Sequence, residues 1–406
     1  MAGDVDLMAL PVPGVTLGAV QAGVRYENRR DLVALRFAEG TTAAAVFTRN
    51  AFCAAPVTVA REHLAACGGQ PRLLLINTGN ANAGTGDAGL AAARRCCDAA
   101  AAVAGLEPAQ VLPFSTGVIG EDLPVERICD ALPALHSGLN DNGWEDAAWG
   151  ILTTDTRPKA ASRQIEVDGR LITLTGMAKG AGMLRPNMAT MLAYIATDAP
   201  IATPLLQSLL NEAVERSFHR ISVDGDTSTN DAVLLAATGQ AGGSPWTAQD
   251  AEAVALFAEA LNSLCIELAK GLVRDGEGAT RFVEISVTGG SNTQECLDVA
   301  FTVAHSPLVK TALFAGDPNW GRILAAIGRA GVPELDVTGV EVSLNGLPIA
   351  AAGARAASYD EAAVEAAMES RDLVMAINLG RGDAVETVWT SDFSYDYVRI
   401  NAEYRS

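Results

Sequence analysis

Thr190 stands directly after Ala189 in the stretch KGAGMLRPNMATML, Lys179–Leu192, between a glycine-punctuated loop and an apolar run, MLAYIA. A threonine hydroxyl is a weak nucleophile unless a base adjoins it. Scission of the chain just before the threonine would supply that base. The freed α-amino group, whose ordinary pKa is roughly 7.7–8.0, titrates near neutrality and can take the hydroxyl proton. An Ala-Thr pair at the start of a strand means nothing alone, because so short a motif recurs by chance. Its meaning depends on what accompanies it.

Histidine is scarce, with residues only at 63, 136, 219 and 305. A Ser-His-Asp hydrolase would need one of these as base, whereas an N-terminal threonine carries its own. The four share no ligand spacing with one another or with cysteine pairs, so no metal is required. Two other patterns are weak. Gly84, Gly86 and Gly89 satisfy G-x-G-x-x-G, but a dinucleotide site wants the first glycine hard against the strand, and here Thr78 to Ala83 intervene. Asp224, Asp226, Ser228 and Asn230 mimic the start of a calcium loop, yet Thr229 replaces the turn glycine and Leu235 the bidentate glutamate. A hydrogen-bonded loop beside a pocket is the better reading.

An acyl-transfer nucleophile also needs donors aimed at the developing oxyanion. Ser115-Thr116-Gly117 reads as a turn that can present a hydroxyl and a backbone N–H together, since glycine permits close approach. The same residues could equally form an ordinary strand terminus.

Further blocks accompany the threonine: NTGNANAGTG (Asn77–Gly86), STGVIG (Ser115–Gly120), TTDT (Thr153–Thr156), DGEGATRF (Asp275–Phe282), GDPNWGR (Gly316–Arg322) and the terminal INAEYRS (Ile400–Ser406). With Lys179–Leu192 and in this order, the chain resembles the ornithine acetyltransferase family, the bifunctional glutamate N-acetyltransferases of arginine biosynthesis. It departs from the commonest pattern at Ala181, where serine is frequent, and at the variable Arg185; neither touches the threonine.

The resemblance implies self-cleavage between Ala189 and Thr190, giving an α segment, 1–189, and a β segment, 190–406, two of each in the assembly. It implies Thr190 as nucleophile and Thr116 and Gly117 as the oxyanion hole. Thr153, Lys179, Thr190, Glu277, Asn401 and Ser406 become the substrate-binding positions, Lys179 supplying a cation and Glu277 an anion to an amino acid. The substrates it implies are N-acetylornithine and glutamate. Some members also take acetyl from acetyl-CoA and others do not, and both remain open here. No cofactor is implied. Asp317, Asn319 and Trp320 look like family signature residues without an evident chemical role. Two alternatives stay open: an N-terminal-nucleophile aminopeptidase or amidase with water as acceptor, and an uncleaved small-molecule binding protein.

Composition narrows the class. A chain of 406 residues, 49% hydrophobic and 19% charged, can bury a large core. The net charge of −19 argues against nucleic acid as a partner. No apolar run reaches the roughly 18 residues that span a bilayer, and the N-terminus MAGDVDLMALPVPG lacks a basic n-region, so the expected location is cytoplasmic. The seven cysteines, 53, 67, 96, 97, 129, 265 and 296, form no C-x-x-C pair and read as reduced, mostly buried thiols.

The elements that must position these residues follow from periodicity. Strands are expected at Arg72–Asn77, Val111–Phe114, Leu171–Thr175 (half-exposed), Val233–Ala237, Phe282–Val287, Val340–Leu344, Leu373–Asn378, Val385–Thr390 and Tyr395–Asn401. Helices are expected at Ala88–Ala104, Pro204–Phe218, Thr247–Leu272 and Pro307–Leu313. Their mixture predicts an α/β (α+β) fold of layered sheets flanked by helices, with a self-cleaving N-terminal-threonine architecture. No linker is evident, so cleavage before Thr190 would fall inside a folded unit.

Overall fold

The computed structural model describes residues 9–185 and 191–403. Contacts divide the chain at His219/Arg220, Gly225/Asp226 and Leu272/Val273, making one unit from the residues up to 219 with 226–272, and a second from 220–225 with the residues after 272.

In the first unit, strands β1 (Val15–Val20), β2 (Leu32–Phe37), β4 (Leu73–Asn80) and β5 (Val111–Val118) form a sheet in the order β1-β2-β4-β5. A second sheet has the order β3-β10-β8-β7-β6. Its strands are β3 (Thr42–Phe47), β6 (Lys159–Val167), β7 (Arg170–Lys179), β8 (Leu192–Thr197) and β10 (Ala232–Ala237). Alternation in β4 explains the layering. Leu74 and Ile76 pack with Leu192, Tyr194 and Leu234 of the second sheet, and Phe114 meets Tyr194 edge-on at 5.2 Å. Leu73 and Leu75 point the other way, into helices α2 (Gly86–Ala104) and α3 (Val125–Ser137). On the outer side of the second sheet lie α5 (Thr203–Arg216), whose Gln207 hydrogen-bonds Ala45, and α6 (Ala251–Arg274), whose Leu264 and Leu268 reach Gly176. The result is helices, sheet, sheet, helices. β8 is buried throughout because it is central and covered on both faces, which is why it reads as one apolar run.

The second unit holds a seven-stranded sheet, β14-β13-β12-β15-β11-β16-β9. These strands are β9 (Ile221–Ser222), β11 (Phe282–Gly290), β12 (Glu341–Leu344), β13 (Leu347–Ala351), β14 (Ala354–Arg355), β15 (Asp372–Asn378) and β16 (Ala384–Ser391). One face, with Val283, Ile285, Leu373 and Met375, packs on α7 (Thr293–Ala304) and α9 (Trp320–Gly328). No helix among the described residues is long and apolar enough to cross a membrane.

Three local expectations change. Ser115-Thr116-Gly117 is not a turn but the end of β5, because Ser115, Thr116 and Gly117 pair in parallel with Asn77, Thr78 and Gly79. β7 is not half-exposed. Only its first residues, Arg170 and Leu171, reach solvent, since it lies between β6 and β8 and is covered on both faces. Tyr395–Asn401 is not a strand but helix α11 (Tyr395–Ala402), because the Ser394 hydroxyl accepts from the N–H groups of Asp396 and Tyr397. That N-cap outweighs the alternation of tyrosine and polar residues.

Candidate active site

Gly117 can lie where it does only as glycine. Its φ is +138°, and a Cβ there would sit 2.2 Å from the Gly79 carbonyl carbon and 2.5 Å from Asn80 N. The parallel pairing of the two Thr-Gly steps thereby brings the ends of β4 and β5 together at close backbone approach.

The hydroxyl of Thr116 faces Lys179, the last residue of β7. Lys179 is buried, and its Nζ donates to Thr116 Oγ1 at 3.0 Å and to Thr153 Oγ1 at 2.9 Å. Behind it lies Asp155, whose side chain is 0% exposed and paired with Lys159. Asp155 Oδ1 also accepts from Gly180 N at 2.7 Å, and Oδ2 from Thr153 N at 3.2 Å. Burial by itself would raise the Asp155 carboxyl. The Lys159 and Lys179 ammoniums, the Lys159 hydrogen bond and the Gly180 N–H outweigh it and bring the group down to about 2. A buried carboxylate flanked by two cations therefore stays ionised at neutral pH.

The loop before β10 holds the same neighbourhood. Asn230 Nδ2 donates to Ser115 O at 2.9 Å and Ala81 O at 2.6 Å, and Asp231 Oδ1 accepts from Met191 N at 2.7 Å. Buried asparagines do likewise along Asn77–Gly86: Ser115 Oγ donates to Asn77 Oδ1 at 2.6 Å, and Asn80 Nδ2 to Asp122 O at 3.0 Å. The hydrogen-bonded loop expected at Ser228 and Asn230 is thus present, and no His, Cys, Asp or Glu cluster able to hold a metal occurs among the described residues.

In the second unit Glu277 is 7% exposed and accepts from Asn401 Nδ2 at 2.8 Å. Asn401 is placed by α11, and α11 is moored by its own cap. Ser394 Oγ donates to Gly278 O at 2.6 Å, next to Glu277. Asp392 accepts from Thr280 N at 2.9 Å and Arg281 N at 3.0 Å. One residue type at Gly278 allows this, since a Cβ would lie 2.4 Å from Tyr397 N.

Thr116, Gly117, Thr153 and Lys179 thus come together in the first unit, and Glu277 and Asn401 in the second. Ala189, Thr190 and Ser406 lie outside the described residues. The sequence reading passed over Asp155 and Asp231. Asp155 sits inside the quoted TTDT block, which was the available signal; Asp231 follows directly on Asn230 but lay outside the calcium-like spacing. The histidines make hydrogen bonds within the fold: His63 Nδ1 pairs with Val111 O and His219 Nδ1 with Glu215 Oε1, each at 2.8 Å. Ser222 Oγ and His305 Nε2 do form a 2.8 Å pair, but Ser222 is 0% exposed and cannot meet a substrate. In the GDPNWGR block, Asn319 caps α9 by accepting from Arg322 N at 3.1 Å, a structural role. Burial pushes the Cys96 thiol up to about 12, in keeping with a core cysteine.

A family model described as the ArgJ family matches residues 16–406. The chain belongs to the ArgJ family. It is 56% identical over 396 residues to the arginine biosynthesis bifunctional protein ArgJ of Pseudomonas fluorescens strain Pf0-1, covering 98% of this chain and 97% of that one. The protein of the same description from Pseudomonas syringae pv. tomato is 56% identical over 400 residues, with the same coverage of both. Among solved structures, an arginine biosynthesis bifunctional protein ArgJ from Bacillus halodurans matches 52% of this chain and 98% of its own, at 38% identity and a TM-score of 0.49. In this ArgJ-family chain, every block quoted from the sequence falls within the matched span.

Proposed function

We infer that this ArgJ-family chain is an acyltransferase of arginine biosynthesis that moves acetyl from N2-acetylornithine to glutamate through an acetyl-Thr190 intermediate. Membership of the family across residues 16–406 carries the reading. In maturation, Thr190 Oγ attacks the Ala189 carbonyl and the Ala189–Thr190 C–N bond breaks, which frees the Thr190 amine and leaves an ester; water then hydrolyses that ester, releasing the Ala189 carboxylate and restoring the Thr190 hydroxyl. Scission there leaves β7 and β8 on opposite sides of the cut. Those strands pair antiparallel, Lys179 opposite Leu192, which supports lasting association of segments 1–189 and 190–406. We assign two copies of each segment to the assembly and the cytoplasm as its location.

In turnover, Thr190 Oγ attacks the acetyl carbonyl of N-acetylornithine while the Thr190 amine takes the hydroxyl proton. The Thr116 hydroxyl and Gly117 N–H stabilise the oxyanion. The C–N bond breaks, the proton passes to the departing nitrogen, and ornithine leaves. The glutamate amine then attacks the ester and regenerates Thr190. Thr153, Lys179, Glu277, Asn401 and Ser406 hold the amino-acid groups. One amide replaces another, so the exchange is close to balanced in energy and needs no added cofactor. That the Pseudomonas relatives are called bifunctional supports acetyl-CoA as a second donor.

Intact mass of purified protein beside Thr190→Ala tests the nucleophile. Two species corresponding to 1–189 and 190–406, against one of 42.0 kDa in the variant, are expected. A Thr190→Ala chain that is processed and active overturns the mechanism. Acetyl release measured with and without glutamate separates transfer from amidase chemistry, which would proceed equally well without it.

A further inference from the structure

We propose that Asn230 and Asp231 are positioning residues for acyl transfer: adjacent in the chain, they tie the peptide after the nucleophile to the peptide before the oxyanion hole and so set the spacing of the two. The proposal rests on the reading of Thr190 as nucleophile and of Thr116 and Gly117 as the oxyanion hole. Asp231 Oδ1 accepts from Met191 N at 2.7 Å, and that N–H belongs to the peptide joining Thr190 to Met191. Asn230 Nδ2 donates to Ser115 O at 2.9 Å, and that carbonyl belongs to the peptide joining Ser115 to Thr116. A peptide group is planar, so a bond to its N–H or C=O restrains both Cα atoms that it joins. Each side chain therefore acts on a reacting group through one peptide plane.

These bonds run to different sheets. Ser115 lies on β5 of the first sheet, and Met191 directly precedes β8 of the second. Between the sheets the packing is apolar, with Leu74, Ile76 and Phe114 against Leu192, Tyr194 and Leu234. Such burial is non-directional and tolerates small slips, whereas a hydrogen bond prescribes distance and angle. The dipeptide is itself held: Thr48 N donates to Asp231 O at 3.0 Å, and Ala54 N to Thr229 O at 2.9 Å. Thr229 Oγ1 donates to Asn230 Oδ1 at 2.6 Å, which leaves the amide hydrogens for Ser115 O and, at 2.6 Å, for Ala81 O. Ala232 N donates to Met191 O at 3.2 Å, so both backbone groups of Met191 are fixed from this one segment. Asn230, Asp231 and Ser115 are all buried, and water has little access to replace a bond that is lost.

Processed enzyme is mixed with N-acetylornithine, without glutamate, and intact mass follows the rate at which segment 190–406 gains one acetyl group, with Thr190→Ala as the blank. A misplacement of about 1 Å costs roughly 10²-fold, so Asn230→Ala and Asp231→Ala should each slow acetylation ~10- to 100-fold at saturating substrate, with the half-saturating concentration within ~3-fold of wild type. Because both residues set one spacing, the double variant should fall less than ~3-fold below the slower single one. Losses that multiply, or a half-saturating concentration raised ~10-fold at an unchanged maximal rate, overturn the proposal while leaving nucleophile and oxyanion hole standing. Single variants as fast as wild type do the same. If the wild-type enzyme gains no acetyl group, the reading of Thr190 falls and the proposal with it. Where an alanine variant does not fold or does not cleave itself, isosteric exchange decides. Asp231→Asn keeps an oxygen for the Met191 N–H and should stay within ~3-fold of wild type, whereas Asn230→Asp, ionised, offers Ser115 O no donor and should lose at least ~10-fold. Equal rates in these two variants, or the reverse order, overturn the proposal.

Discussion

Gly117 and Gly79 lie so close that a single Cβ on Gly117 would come within 2.2 Å of the Gly79 carbonyl carbon. The two occupy paired positions on parallel strands, and Gly117 has a φ of +138°, which a side chain resists. Both constraints fall on the residue whose N–H is assigned to the oxyanion.

Gly117→Ala is therefore expected to lose about 3 kcal/mol of stability, from overpacking and backbone strain together, and to lose acetyl transfer. Gly120→Ala is the control. Its φ is also positive, +82°, but a Cβ there meets nothing within 4 Å, so about 1–2 kcal/mol is expected. Denaturant midpoints of the two variants make the comparison. Equal losses would mean that proximity to Gly79 contributes nothing.

Glu277 and Asn401 make a second prediction. Both Asn401 amide protons are used, on Glu277 Oε2 at 2.8 Å and Tyr397 O at 3.0 Å. Asn401→Asp places one carboxylate against another, so KM for the amino-acid substrates should rise more than in Asn401→Ala, by ~10-fold or more against a few-fold. Steady-state kinetics at pH 8 decide it. A milder effect for aspartate than for alanine would show that the pair does not orient substrate.

Gly278→Ala should reproduce that KM rise without touching either side chain. Its Cβ would fall 2.4 Å from Tyr397 N and 2.7 Å from Ser394 Oγ, lifting α11 off the turn that carries Glu277. Unchanged KM with a normal melting temperature would count against α11 as the element that places Asn401.

Lys310, on α8 (Pro307–Ala315), gives a pH-dependent stability. It is 1% exposed, donates to Thr390 Oγ1 at 2.9 Å and to Ser391 O, and sits over the Phe393 ring. Burial lowers its pKa to about 7, and Asp392 and Asp224 only partly oppose the shift. The unfolded chain therefore binds more protons between about pH 7 and the ordinary lysine value of roughly 10.4. The sign follows: this group's contribution destabilises most below pH 7 and is relieved as pH rises through that window, by up to about 1.4 kcal/mol per unit. Wild-type stability should thus gain on Lys310→Met between pH 7 and 9.5 in denaturant melts. Parallel curves would mean that Lys310 keeps its charge throughout.

Much of this protein was legible before any coordinates. The apolar run of β8, the leucine run of β4 and the alanine-rich α2 declared themselves by periodicity, and the ordered blocks from Asn77 to the C-terminus declared the family. Residue types alone also indicated where a hydroxyl, a glycine, a cation and an anion were available. Tertiary structure decided which of these meet. That Thr116 lies at a strand end and not in a turn depends on pairing with β4, a long-range contact that local propensity does not encode. That Asp155 stays ionised although buried depends on Lys159, Lys179 and the Gly180 N–H being brought against it, which the fold arranges. The Ser394 cap that turns an alternating segment into α11 was present in the sequence, but the groups that moor the helix, Gly278 O for Ser394 and Glu277 for Asn401, lie more than a hundred residues upstream. Periodicity reports which face of an element is covered; it cannot report what covers it, because hydrogen bonds and charges act across space and not along the chain.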